Sequence, residues 1–416
     1  MPAARLARAS LAFLAAIVAF APAHAAEPES IDGVEGEAPP PRGKKHKREK
    51  RGKRRLLGAL GARSAGELGS VEVGGRVFLR SALSRHYESI TLPNGSPGEK
   101  RIDALDFTIP TARVDFRYQA PVRWLSADVE FELAGKPELK DAWVRARGRH
   151  FGAKLGQFKA PFSAIELESR FDLPLAERGF LHDVLTKQLQ VAGRRPGVAL
   201  SAQAGGELRP ALTLGAFQGS VLVERDANDL KREPLFEQTL DAQSLFARAT
   251  MRAGDFAFGA GYEHRVGTPE LLTVGHYPTG GVDVTLDTHG HGRGLRVWLE
   301  GMAGKSWFEH SRKPVDSKDA TFTAVRGIVA PRIGGEQRQR FYFEPYGMLG
   351  VLDPDVGVVS DLAVEQALGA NVGLWRLARL GVEFQHRTVE RNFPQSYTLG
   401  RRPERLAVLV QAAAEF

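Results

Sequence analysis

The feature that most constrains the fold is a period of two in hydrophobicity, which runs from about residue 71 to the last residue. Residues 111–118 show it well, because small or apolar side chains alternate with charged or hydroxyl side chains. Successive side chains of a β-strand point to opposite faces, so the pattern predicts strands with one apolar and one charged face. No comparable stretch has the spacing of a long amphipathic helix. The sequence therefore predicts an all-β protein.

Sixteen segments are predicted to be strands. The connections between them alternate between short turns and loops that are mostly long. The segments are 71–83, 105–118, 122–133, 139–149, 151–158, 195–204, 212–219, 243–252, 256–265, 282–288, 294–301, 322–330, 341–349, 362–373, 378–386 and 405–416. The long connections are 84–104, 159–194, 220–242, 266–281, 302–321, 350–361 and 387–404. Outer-membrane barrels combine short periplasmic turns with longer external loops. We therefore predict a transmembrane antiparallel β-barrel of about 16 strands over residues 70–416, with both chain ends in the periplasm.

The end of the chain fits this prediction. The last segment is an amphipathic strand that ends in Phe416 and places Leu406, Val408, Val410, Ala412, Ala414 and Phe416 on one face. Such a strand resembles the terminal signal of bacterial outer-membrane barrels. A soluble periplasmic β-sandwich also has alternating strands, but sixteen of them without a second domain would need an unusually large sheet system.

The first 25 residues are predicted to be a signal peptide. Arg5 and Arg8 precede an apolar stretch at 11–21, and the small-residue cleavage pattern Ala-His-Ala ends at Ala25. The apolar stretch is well short of the roughly 20 residues that a helix needs to cross a bilayer. We therefore expect export through a cleaved signal peptide, a mature chain that begins at Ala26, and the cell outer membrane as the destination.

Most of the net charge of +8 lies outside the predicted barrel. Residues 27–41 carry −5, residues 42–55 carry +9, and residues 56–416 carry only +2. This composition predicts a disordered periplasmic arm at 26–69, first acidic and then basic. The basic run is either a solvated tail or a contact to anionic lipid or cell-wall polymer. Nucleic acid is not an expected partner of an exported chain.

Charged strand faces are predicted to line a water-filled pore, because an arginine on the lipid side costs about 2–4 kcal/mol at mid-bilayer. Of the 45 basic residues in 56–416, 35 are arginines, whose planar guanidinium groups suit oxyanions. Acidic residues share these faces, so the strength of an anion preference stays open. The candidate pore-lining and anion-binding residues are Arg113, Arg117, Arg145, Arg147, Arg149, Lys159, Arg170, Arg178 and Lys187.

The longest connection, 159–194, would be the third external loop of such a barrel. It mixes charged residues with apolar ones such as Phe162, Ile165 and Leu185. A loop this apolar is expected to fold into the barrel, pack on its wall and narrow the pore. The alternative is an external loop that packs on neighbouring loops or on another subunit.

Residues 139–200 resemble the phosphate-selective porin O and P family. The match lies in GQFKAPFS at 156–163, in Glu177-Arg178, and in GRRPGV at 193–198. This resemblance implies a sixteen-stranded, usually trimeric outer-membrane channel, surrounded by outer-membrane lipid, for small anions such as phosphate. The arginine ladder and lysine cluster of the best-known members cannot be placed here residue by residue.

Two other classes of protein share the predicted export and strand pattern. A barrel enzyme of the lipase or protease type should place a nucleophile beside a histidine at adjacent strand ends, and no such set stands out. A purely structural barrel would be tied to the cell wall through the basic arm. The chain has no cysteine, which excludes disulfides and thiolate metal sites, and we expect neither a cofactor nor a catalytic metal.

Overall fold

A computed structural model describes residues 63–66, 68–91, 97–189, 191–222, 236–267, 275–288, 294–305, 321–334, 341–374, 377–393 and 405–416. The predicted signal peptide and almost all of the predicted arm lie outside these residues. Within 26–69, the described residues are the short strand at 63–66 and residues 68–69. No helix among the described residues is both long and apolar enough to cross a bilayer.

Strands make up nearly all of the described chain. They are β1 (Arg63–Gly66), β2 (Gly69–Thr91), β3 (Pro97–Gln119), β4 (Leu125–Glu132), β5 (Glu138–Arg147), β6 (Phe151–Lys159), β7 (Arg194–Gln203), β8 (Ala211–Leu222), β9 (Phe236–Ala253), β10 (Phe256–Gly267), β11 (Gly275–Asp287), β12 (Gly294–Lys305), β13 (Thr321–Gly334), β14 (Phe341–Asp353), β15 (Ala363–Leu374), β16 (Ala378–Val389) and β17 (Arg405–Glu415). Three helical turns lie between β6 and β7: α1 (Ala164–Leu167), α2 (Phe180–Asp183) and a π-helical turn, α3 (Val184–Gln188).

Strands β2 to β17 form a closed antiparallel barrel of sixteen strands. Each pairs with the next along the chain, and β17 pairs with β2, from Arg405 opposite His86 to Glu415 opposite Arg76. The pairing continues to the last residue, because the Phe416 amide donates to the Gly75 carbonyl at 2.9 Å. A side chain at residue 75 would place its Cβ 2.5 Å from the Phe416 ring, so only glycine fits at this closure.

The two faces of the barrel wall have opposite chemistry. On β16, Val382 and Phe384 are 50% and 44% exposed, whereas Glu383 between them is fully buried. We call the face with exposed apolar side chains the outer face and the charged face the inner face. A soluble protein would bury the apolar face instead, so this arrangement is that of a barrel surrounded by lipid.

The prediction of the strands is confirmed, but several extend further than expected. The connection predicted at 84–104 is mostly the paired ends of β2 and β3, which run to Thr91 and from Pro97. Similarly, β9 begins at Phe236 and β11 at Gly275. Alternation reveals only the part of each strand that faces lipid and needs an apolar face. Strands can stay paired beyond the bilayer without strict alternation, so the sequence pattern does not show where they end.

Candidate pore and its charged lining

The inner faces of β3 and β4 hold opposite charges next to each other. The register places Arg113 opposite Glu132 and Arg117 opposite Asp128. Arg113 contacts Glu132 at 2.7 Å, and Arg117 contacts Asp128 at 3.4 Å in addition to Asp115 of its own strand at 3.0 Å. Directly opposed residues of an antiparallel pair have adjacent side chains, so the alternation of charges along each strand produces these pairs.

One buried carboxylate, that of Glu130, serves three arginines. It accepts from Arg76 on β2, from Arg113 at 2.8 Å and from Arg194 on β7 at 3.2 Å. Arg194 also contacts Asp141 on β5 at 2.9 Å. The side chains of five strands thereby form a single network that fixes the guanidinium groups in place.

Residues 160–193, which we call the inner segment, contact the inner face of strands far from β6 and β7. Glu166 forms an ion pair with Arg326 of β13 at 2.7 Å, and the Arg326 guanidinium also binds Glu300 of β12 at 2.6 Å. The Phe180 amide donates to Glu365 of β15 at 2.6 Å. All of these wall residues lie on the face opposite to the exposed apolar side chains.

Backbone carbonyls of the inner segment find their donors on the same strands. Arg379 of β16 donates to the carbonyl of Phe171 at 3.1 Å, and Asn371 of β15 donates to that of Pro174 at 2.7 Å. Arg326 donates to the carbonyl of Arg178 at 3.2 Å. Irregular backbone has few internal partners, so these side chains replace the hydrogen bonds that strand pairing would give.

Apolar side chains of the inner segment are also buried on this wall. One cluster contains Leu181, Val184 and Leu185 together with Phe322, Ala324 and Leu352. A second contains Ile165, Leu173 and Leu175 together with Trp298, Ile328, Tyr346 and Met348. Complete burial of one such side chain stabilises the structure by about 1.5–3 kcal/mol. We call the inner faces of β12–β16 the covered wall.

The opposite side of the barrel is open. A cavity of about 1340 Å³ lies between the inner segment and the inner faces of β2–β6, which we call the open wall, and a few side chains of β7, β16 and β17 complete its lining. Eleven basic and ten acidic side chains line it. The numbers of positive and negative charges are nearly balanced. The ion selectivity of the cavity therefore depends more on which charges are neutralised in ion pairs than on the total of either sign.

Five of the nine candidate anion-binding residues line this cavity: Arg113, Arg117, Lys159, Arg170 and Arg178. Arg145 and Arg147 lie on β5 outside its lining, and Arg149 is exposed in the turn that follows β5. The backbone of Lys187 belongs to α3, but its side chain lies outside the described residues. Whether these groups bind anions stays a prediction.

The basic side chains of the inner segment are engaged mainly with backbone. Arg170 donates to the Thr111 hydroxyl at 3.0 Å and lies over the Phe78 ring, 5.3 Å from its centroid. Burial and the neighbouring charge of Arg80 lower the pKa of Arg170 to about 10, so it stays cationic at neutral pH. Arg178 donates to the carbonyl of Ile165 at 2.7 Å.

Two acidic side chains of the inner segment, those of Glu166 and Glu177, are held ionised by their basic neighbours. Burial alone would raise the pKa of Glu166, but the charges of His182 and Arg326 hold it well below its usual range. Burial also opposes the ionisation of Glu177, and the charges of Arg405 and Arg80 outweigh it and lower its pKa. Both carboxylates therefore fasten the inner segment to the wall as anions.

Sequence reasoning missed two features of the lining. Alternation places Glu130 on the inner face, but nothing in the sequence indicates that Arg76 and Arg194 approach it. Lys154 of β6 was not a candidate, although its ammonium lies 4.0 Å from the centroid of the Trp143 ring. The position of Trp143 on a charged strand face was the available signal. In the described part of the chain, no three histidine or acidic side chains are placed to hold a metal ion.

Comparisons with known proteins identify the fold. No protein-family model and no curated protein sequence matches the chain. Among solved structures, the outer membrane channel DcaP of Acinetobacter baumannii matches with a TM-score of 0.55 and 12% identity, over 84% of this chain and 97% of that one. The anion-selective porin from Comamonas acidovorans matches with a TM-score of 0.53 and 13% identity, over 84% and 100%. OmpF of Salmonella typhi, in complex with daunomycin, matches with a TM-score of 0.53 and 9% identity, over 85% and 100%. The chain therefore has the fold of outer-membrane porins.

Proposed function

We propose that the protein is an outer-membrane porin through which small hydrophilic solutes diffuse, with a preference for anions. The observation that carries the proposal is the charged cavity between the inner segment and the open wall, inside a closed barrel with an apolar outer face. A barrel of this chemistry is stable only with lipid outside and water inside. The anion-selective porin from Comamonas acidovorans supports the proposal, because it shows that this fold is compatible with anion selectivity.

The inner segment is proposed to be the constriction. It corresponds to the third external loop of the predicted barrel, and its contacts with Arg326, Glu365 and Arg379 draw it across to the covered wall. Solutes would then pass between the inner segment and the open wall. In this arrangement the charges of β2–β6 and of the inner segment face the solute.

Conductance of the purified protein in a planar bilayer tests the proposal. A porin gives stepwise currents, whereas a barrel enzyme or a structural barrel gives none. The reversal potential in a potassium chloride gradient then measures the anion preference, and a preference for cations would refute that part of the proposal. Block of the chloride current by inorganic phosphate would support the phosphate selectivity that the family resemblance implies.

Export and assembly are proposals with separate tests. The signal peptide predicts a mature N-terminus at Ala26 in protein purified from outer membranes, which N-terminal sequencing measures. The proposed homotrimer predicts three times the subunit mass in native mass spectrometry of the detergent-solubilised protein. A full-length chain in the inner membrane, or a monomer, would refute the respective proposal.

A further inference from the structure

Lys154 is held on the open wall by two aromatic rings. Its ammonium nitrogen lies 4.0 Å from the centroid of the Trp143 ring and 4.5 Å from that of the Phe158 ring. The β5–β6 register produces this contact by placing Gly156 opposite Trp143. A Cβ at Gly156 would lie 2.7 Å from the Trp143 Cα, so a glycine is needed where the strands approach most closely. The rings therefore fix the ammonium group at a defined point of the cavity.

The charge of Lys154 is not neutralised by a neighbour. No carboxylate oxygen among the described side chains lies within 4.0 Å of its nitrogen, whereas Arg113, Arg117 and Arg194 all form ion pairs. Aromatic rings attract a cation through their quadrupole and leave its net charge unchanged. Lys154 thus differs from its basic neighbours in facing the cavity without a salt-bridge partner among the described side chains, and Asp141 and Asp128 act on it only from a greater distance.

The other two basic side chains of the lining without a carboxylate partner, again among described residues, are Lys159 and Arg170. Lys159 donates to the carbonyls of Leu167 and Glu168 at 3.0 and 2.6 Å. Arg170 donates to Thr111 and to the carbonyl of Ala176. Both use their N–H groups to hold the inner segment, whereas Lys154 makes no hydrogen bond to a described residue.

We propose that Lys154 forms an anion-binding site in the pore, where a small anion exchanges bound water for the N–H groups of the ammonium. The ligand class is small inorganic anions, with chloride and inorganic phosphate as probes. A single ammonium binds weakly enough to release the anion, which conduction requires. The inference rests on the proposed porin function.

The absence of cysteine from the chain permits a direct test. Lys154→Cys provides one thiol, which a positively or a negatively charged methanethiosulfonate reagent converts into a cation or an anion. Lys136→Cys, exposed in the turn between β4 and β5 and outside the cavity lining, is the matched control. Lys154→Gln removes the charge without a reagent, and Lys154→Arg keeps it.

Single-channel recordings examine only molecules that have folded and inserted. We expect Lys154→Gln to lower the anion-to-cation permeability ratio by roughly two- to fivefold and to weaken block by phosphate. Lys154→Arg should stay near the wild type. The positive reagent should restore the ratio of Lys154→Cys and the negative reagent should reduce it further, with no change in Lys136→Cys.

Two outcomes would overturn the proposal, and they are distinguishable. A conducting wild type whose Lys154→Gln and Lys154→Cys variants keep its ratio, before and after both reagents, refutes the role of Lys154 alone. A folded wild type without stepwise currents refutes the porin function and therefore also the anion-binding site at Lys154.

Discussion

The open wall and the covered wall are built from the same sequence pattern but use their arginines differently. On the covered wall, Arg326 and Arg379 are 1% and 4% exposed and bind groups of the inner segment. On the open wall, Arg113 and Arg117 pair with carboxylates of their own and the adjacent strand and line the cavity. An inward arginine in a barrel of this kind can therefore tether the loop, line the cavity or do both, as Arg80 does, and alternation alone does not distinguish these roles.

The difference has an energetic basis. A buried ion pair such as Arg326 with Glu166 and Glu300 adds little net stability over an apolar equivalent, but removal of one partner is costly. Pairs that face water are screened and are worth much less. Substitutions on the covered wall should therefore change structure and pore width, and those on the open wall should change selectivity.

The largest effect is expected for Arg326→Leu. The substitution leaves Glu166 and Glu300 without the guanidinium between them, and breaking such a buried pair costs about 3–5 kcal/mol. We expect a lower unfolding temperature and a larger single-channel conductance, because the inner segment loses a tether. Arg332→Leu, on the same strand and paired with Glu344, is the control whose conductance should not change. An unchanged conductance in Arg326→Leu would show that the covered wall does not hold the constriction.

A smaller effect, on selectivity, is expected for Glu130→Gln. Arg76, Arg113 and Arg194 would lose their shared carboxylate, and the open wall would gain one net positive charge. The anion-to-cation permeability ratio should rise roughly two- to fivefold in reversal-potential measurements. Glu138→Gln makes the same charge change at an exposed site and should leave the ratio unchanged. A fall in the ratio would contradict the proposed path along the open wall.

Acid should break the ion pairs of Glu166 and Glu177 only below the ordinary glutamate range. The lowered pKa values of Glu166 and Glu177 mean that both stabilise the inner segment as anions. Their contribution is complete above pH 4.5, the ordinary value, and is lost as the pH falls through the lowered values. Single-channel conductance should therefore be constant from pH 7 to 4.5 and become larger and noisier below. An increase in conductance centred near pH 6 would show that groups other than Glu166 and Glu177 hold the inner segment in place.

The smallest effect is expected for the double substitution of Arg145 and Arg147 by Glu. Both lie on β5 but outside the lining of the cavity, toward the short turn to β6. The anion preference should fall by less than in Lys154→Gln, and the barrel should still form, because inward changes tune selectivity more than stability. A reversal potential equal to that of the wild type would show that these side chains do not face the path.

Much of the fold was predictable because the bilayer imposes a rule on every strand. Segments such as 378–386 and 405–416 were recognised from alternation alone, and β16 and β17 lie there. The ends of β2 and β3 were missed because strand pairing outside the lipid follows no such rule. For the candidate site, alternation placed Arg113 and Arg117 on the inner face, but it said nothing about which side of the barrel stays open.

The amino-acid sequence by itself determined which face of each strand is charged, because the cost of a charge in hydrocarbon is local and acts on every residue separately. Only the tertiary structure decided that Glu166 meets Arg326, 160 residues away, that three strands bring arginines to Glu130, and that Lys154 keeps its charge beside Trp143. These contacts depend on the closure of the barrel and on which distant strands residues 160–193 contact, and neither is encoded in the period of a single strand.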